Sequence, residues 1–253
     1  MNKKVSIILI LALAIICIVV WFVFKDNVVK ESDQVDYLIL GNNTLWEKKN
    51  DTWRSLDSDK LDKDINYTVY VDNFYKGIYQ IDYINTWNVY TADSNLFYEG
   101  NLLAYSNKLI KDVKNYDVDV LSLSDVNYLN DILSKNYTID DFTYQEKVSV
   151  DLNNDGINDY IIVANNFDIE GANNYFSVIY TVINGVNNII LNKNIEVEKV
   201  HYEPSYAIYA IFNIDGAKGS NIIFRRTYYS MIRNTGYSMY QNNDGKYDLV
   251  IAD

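Results

Sequence analysis

The stretch FTYQEKVSVDLNNDGINDYIIVAN, residues 142–165, carries the reading of the fold. Its two ends look like strands. Val148 and Val150 alternate with polar neighbours, and Tyr160, Ile161, Ile162 and Val163 form an aromatic and β-branched run. Between these ends Asp151, Asn153, Asp155 and Asp159 crowd around Gly156, which permits a sharp turn because its φ can be positive. The carboxylates repel one another. A pair about 4 Å apart loses roughly 1 kcal/mol in water and roughly 4 kcal/mol at an effective dielectric of about 20. From Val148 to Asn192 the chain has no Lys or Arg to offset this. Either a divalent cation reverses the sign, or the stretch is a solvated turn built from ordinary turn formers.

Strand-like runs extend in both directions. Upstream are YLIL (37–40), TLWEKK (44–49), NYTVYV (66–71) and GIYQIDYI (77–84), separated by Gly/Asn/Asp turns that read as hairpins. Downstream are YFSVIYTVI (175–183), NIILN (188–192), YAIYAIFNI (206–214) and NIIFRRTYYSM (221–231), with a closing hairpin at Asp244-Gly245. Only residues 124–135 break the pattern. Val126, Leu129, Ile132 and Leu133 recur at three and four, which predicts one amphipathic helix capped by Ser124. The 24 Tyr and 9 Phe suit strands and argue against disorder. The expectation is a mainly β chain of antiparallel sheets, as a sandwich or propeller-blade-like units, with one short helix. It divides into residues 37–115 and 116–253.

Residues 5–24, VSIILILALAIICIVVWFVF, contain one polar side chain, Ser6. These 20 residues, at about 1.5 Å each, reach across the roughly 30 Å hydrocarbon layer. As a helix the run satisfies its own backbone groups in lipid. Lys3 and Lys4 precede it, so residues 1–25 read as a cytoplasmic tip and signal anchor, 26–36 as a stalk, and the remainder as extracellular. Two alternatives stay open: a cleaved signal, although no small residue follows the run, and lipidation at Cys17, although Ile16 precedes it. Cys17 is the only cysteine, so the external part has no disulfide and no thiol chemistry.

Of 22 basic residues, Lys3, Lys4 and Lys25 lie in the first 25, where there is no acid. The other 19 face 34 acidic residues, a net charge of −15. Such a body repels nucleic acid and anionic headgroups and is compatible with binding cations.

The pattern D-x-N-x-D-G-x-x-D over 151–159, followed by an apolar strand to 164, resembles the calcium loops of FG-GAP (VCBS-type) repeats. It is not an EF-hand, since Ile162 stands where that loop needs Glu. The resemblance implies a β architecture, an external location and a structural Ca²⁺ held by Asp151, Asn153, Asp155 and Asp159, with Ile157 adding its carbonyl. A second copy falls at 213–223, where Asn213, Asp215 and Asn221 take the first, third and ninth positions; Ala217 and Lys218 replace the Asp and Gly, so it folds alike but binds nothing. Asn242, Asp244, Gly245 and Asp248 read as a plain hairpin turn.

No residue is assigned to catalysis. His201 is the lone histidine, and no nucleophile motif accompanies it. Arg225, Arg226 and Arg233 lie among tyrosines; alternation sends the first two to opposite faces. The chain thus reads as a membrane-anchored, Ca²⁺-stabilised surface module that binds a ligand or protein partner. The alternatives are an extracellular glycan hydrolase using a carboxylate pair and an accessory subunit of a membrane complex.

Overall fold

The computed structural model describes residues 35–41, 44–84, 88–91, 95–97, 100–106, 109–166, 174–196, 204–214, 219–228 and 234–253. The expected anchor and the stalk up to residue 34, Cys17, His201 and Arg233 lie outside them. No helix among the described residues is long and apolar enough to cross a membrane.

The described chain is mainly antiparallel β. In order it forms β1 (Val35–Leu40), β2 (Thr44–Lys49), β3 (Thr52–Leu56), β4 (Asn66–Val71), β5 (Phe74–Gln80), β6 (Tyr83–Ile84), β7 (Asn88–Tyr90), β8 (Asn95–Phe97), β9 (Leu102–Ser106), β10 (Ile110–Val113), β11 (Asp117–Asp119) and helix α1 (Leu123–Leu133). There follow β12 (Tyr144–Val150), β13 (Asp159–Asn166), β14 (Asn174–Ile183), β15 (Val186–Glu196), β16 (Pro204–Ile214), β17 (Asn221–Tyr228), β18 (Asn234–Asn243) and β19 (Lys246–Ala252).

Four sheets result. Sheet A runs β3-β2-β1-β9-β4-β5, sheet B is the small β6-β7-β8, sheet C runs β10-β16-β17-β18-β19, and sheet D runs β11-β12-β13-β14-β15. They stack face on face. Ile39, Tyr67 and Val69 of sheet A meet Ile84 and Val89 of sheet B. The opposite face of sheet A, with Leu38, Leu40 and Trp46, meets Tyr209, Phe212 and Met239 of sheet C. Sheet C in turn presents Ile208, Ile222 and Phe224 to Val148, Ile161 and Ile179 of sheet D. Helix α1 covers the far side of sheet D through Val126, Leu129 and Leu133. Sheets A, C and D are therefore apolar on both faces, which explains strands that read as continuous apolar runs, such as Ile161–Ala164.

Helix α1 starts earlier than Ser124. Ser122 is its N-cap: the Ser122 hydroxyl accepts Asp125 N–H at 3.3 Å, and the Asp125 carboxylate accepts Ser122 N–H at 2.7 Å. The reciprocal box satisfies two of the orphan donors at the helix start, so it outcompetes a cap two residues later. Ser134, in the left-handed region at φ 52°, ends the helix.

Sheets C and D each contain a four-stranded meander, β12–β15 in D and β16–β19 in C. The second strands begin at Asp159 and Asn221, and the third hairpins turn at Asn184-Gly185 and Asp244-Gly245, all with positive φ at the turn. The two meanders thus repeat one plan, with the second strands 62 residues apart, as the two loop sequences align, and the hairpin turns 60 apart. Ile110–Val113 pairs with β16 and so joins sheet C.

Candidate cation-binding loop

The loop between β12 and β13 is built by its own backbone. Asn154 (φ 63°) and Gly156 (φ 86°) occupy the left-handed region, where Asn and Gly are the residues best tolerated. Their conformations fold the chain back onto Asp151. Its carboxylate accepts Asp155 N–H at 3.2 Å through Oδ1 and Gly156 N–H at 3.0 Å through Oδ2. Asn153 Oδ1 accepts the same Asp155 N–H at 3.0 Å, and Asn153 Nδ2 donates to Asp155 Oδ2 at 2.8 Å. Asp155 Oδ1 accepts Ile157 N–H at 2.8 Å. That N–H, followed by the Asn153 amide, holds the Asp155 carboxyl below the usual carboxylate range.

Asp159 plays a different part. It is 2 % exposed. Oδ2 accepts Leu152 N–H at 3.1 Å, and Oδ1 accepts Asn184 N–H at 3.1 Å. Burial pushes its carboxyl up, and the charges of Asp155 and Asp151 add to that push, against the lowering effect of the two N–H groups. The carboxylate therefore pins the loop to the β14–β15 turn. Asn184 also reaches Asp155 through its side chain. Sequence reading missed Asn184 because its proximity depends on hairpin pairing, 25 residues along the chain.

The loop tip is fastened to sheet C. Asn154 Oδ1 accepts Asn213 Nδ2 at 2.9 Å and Lys114 Nζ at 3.1 Å. Ser220 N–H donates to the Leu152 carbonyl at 2.8 Å. Asn213 and Asn221 stand at the ends of β16 and β17, as the alignment of the two loops requires, and the segment carrying Asp215, Ala217 and Lys218 lies outside the described residues. Lys114 is the basic neighbour that the local sequence does not reveal. It also pairs with Asp112 at 3.3 Å. Among the described residues, Asp151, Asp155 and Asp159 form no ion pair.

Among the described residues no group of three His, Cys, Asp or Glu side chains could by itself hold a metal ion. The donors that gather here are mixed instead: the Asp151 and Asp155 carboxylates and the Asn153 amide oxygen. All are hard oxygens, without nitrogen or sulfur, which suits Ca²⁺ and not the softer transition metals. On donor chemistry the set fits.

Elsewhere, Arg225 and Arg226 part as alternation requires. Arg225 is exposed. Arg226 is half-buried, donates to the Tyr237 carbonyl at 3.0 Å and also to the Asp253 carbonyl, and lies 5.9 Å from the Tyr228 ring centroid. That makes it a structural clamp. Glu146 is a half-buried carboxylate whose Oε2 accepts Ile208 N–H at 3.0 Å and Tyr144 O–H at 2.8 Å. Burial pushes its carboxyl up.

In comparisons with known proteins, no family model, no curated protein and no solved structure matches this chain.

Proposed function

We propose that this chain is a membrane-anchored, extracytoplasmic β-rich surface module that binds a ligand or protein partner and is stabilised by Ca²⁺ at the loop of Asp151, Asn153, Asp155, Ile157 and Asp159, where Asp159 ties the loop to the β14–β15 turn and the others face the ion. The apolar run 5–24 and the acidity of the remainder support the location. The observation that carries the ion reading is the turn of the loop back onto Asp151. It brings two carboxylates and an amide oxygen together, with none of the carboxylates in an ion pair among the described residues. The Ca²⁺ stabilises the folded form by mass action, as in external modules with Kd about 10⁻⁴ to 10⁻³ M.

The test is thermal unfolding of the full chain in detergent, with millimolar Ca²⁺ or with chelator. Ten times Kd is worth about 1.4 kcal/mol. For a body of this size that raises Tm by roughly 3–6 °C. The double change Asp151→Ala and Asp155→Ala abolishes the shift. A Tm indifferent to Ca²⁺ in the unmutated chain refutes the ion reading and leaves the anchoring to be tested separately.

A further inference from the structure

Asn184-Gly185 is the only Asn-Gly dipeptide in the chain. It forms the two-residue turn between β14 and β15, with φ of 51° and 75°, and both residues are exposed. A Cβ built on Gly185 would meet nothing within 4 Å. We infer that Asn184 is a site of spontaneous deamidation, and that the product acts on the acidic loop beside it.

The chemistry needs only water. The Gly185 backbone nitrogen attacks Asn184 Cγ, forming a C–N bond. The side-chain amide leaves as ammonia with the proton that the backbone nitrogen releases. Water then opens the five-membered imide to aspartate or isoaspartate. Glycine is the residue that hinders this attack least, because it places no side chain beside the incoming nitrogen. The Gly185 N–H makes no hydrogen bond to described backbone that would hold it back. The open space around the turn gives water access.

Position gives the modification a consequence. Asn184 N–H is bound to Asp159 Oδ1 at 3.1 Å, and the Asn184 side chain lies beside Asp155, whose carboxyl it helps to hold low. Conversion places a carboxylate beside Asp155 and Asp159 where a neutral amide stood, in a segment whose sequence lacks Lys and Arg from 148 to 192. Without a cation, the added charge loosens the contact between loop and hairpin. On the proposed Ca²⁺ reading, the same carboxylate adds a hard oxygen donor and deepens the dependence of stability on the ion.

The experiment incubates the folded full chain in mildly alkaline buffer and follows each asparagine by peptide mass mapping with isoaspartate detection. Asn184 is expected to convert first, and Gly185→Ala to slow it severalfold. If Asn184 stays an amide while other asparagines convert, or converts only in denatured chain, the proposal is overturned. Because Gly185→Ala strains a left-handed position, Asn184→Gln provides a second variant in which conversion at this position is lost. The mimic Asn184→Asp then reports on the ion separately: it is expected to lower Tm in chelator and to enlarge the Ca²⁺ shift. A mimic whose Tm ignores Ca²⁺ overturns the ion reading, not the deamidation, which the mass map decides alone.

Discussion

Asn165 of β13 meets both backbone groups of Tyr206 in the facing sheet: its Nδ2 donates to the Tyr206 carbonyl at 2.9 Å, and its Oδ1 accepts Tyr206 N–H at 3.4 Å. A side chain of sheet D thus stands in for a neighbouring strand along β16. Tyr175 O–H bonds the Pro204 carbonyl at 2.6 Å, and Glu146 takes Ile208 N–H. Each buried backbone group left without a partner costs roughly 1–3 kcal/mol. Asn165→Leu, which removes the side-chain partner of both Tyr206 groups and of the buried Ser177 hydroxyl, is expected to destabilise by at least about 2 kcal/mol, lowering the denaturant midpoint at unchanged slope. A midpoint within error of the unmutated chain would show that Asn165 is dispensable there.

Glu146 gives a pH prediction. Its folded-state pKa is raised by burial above the unfolded value of about 4.3. The folded state therefore binds a proton first as pH falls. The ionised group weakens the fold at neutral pH, and that weakening is relieved as pH drops through the raised value toward about 4.3. Glu146→Gln keeps an acceptor for Ile208 N–H, so Tm at neutral pH should hold or rise, and the relief on acidification should vanish. Stability curves against pH for the two proteins check this; parallel curves would count against it.

The Asp125–Lys147 pair behaves oppositely. Lys147 Nζ lies 2.9 Å from Asp125 Oδ2, with side chains 10 % and 12 % exposed, and 4.5 Å from the Tyr160 ring centroid. Burial works to raise the Asp125 pKa, but the bonds from Ser122 and Lys147 outweigh it and hold it low. Its contribution is present above the unfolded value of about 3.9 and is lost as pH falls through the lower folded value. Lys147→Met strands the carboxylate at roughly 3–5 kcal/mol. Adding Asp125→Asn should recover part of that loss, and a strictly additive double mutant would deny the coupling.

Ser122→Ala removes the helix cap and is expected to cost about 1 kcal/mol, whereas Ser124→Ala should change little. Equal effects at both positions would place the cap wrongly. Calorimetry of the two variants distinguishes them.

On the proposed anchoring through residues 5–24, protease added to intact cells should degrade the residues that follow and leave the tip protected. Full protection of the body would reverse the orientation.

The strands were legible because their apolar alternation survives in the sequence: NYTVYV reads as β4 without adjustment, and the Asp244-Gly245 turn lies where hairpin chemistry puts it. The helix was legible in its spacing but not in its first residue, since two serines compete and only the one three residues before Asp125 can form the reciprocal box. The loop was legible as a set of oxygen donors. Its neighbours Asn184, Lys114 and Asn213 were not, because strand pairing and sheet stacking bring them there from distant positions.

Period and turn chemistry are local, so the sequence alone determined that this chain makes antiparallel strands with one helix and a glycine-turned acidic loop. Which sheets face each other, and that Asp159 turns inward to tie loop to hairpin, was decided only by tertiary packing. Two-faced apolar strands such as β13 and β16 can bury either side against any partner, and only the assembled stack selects one.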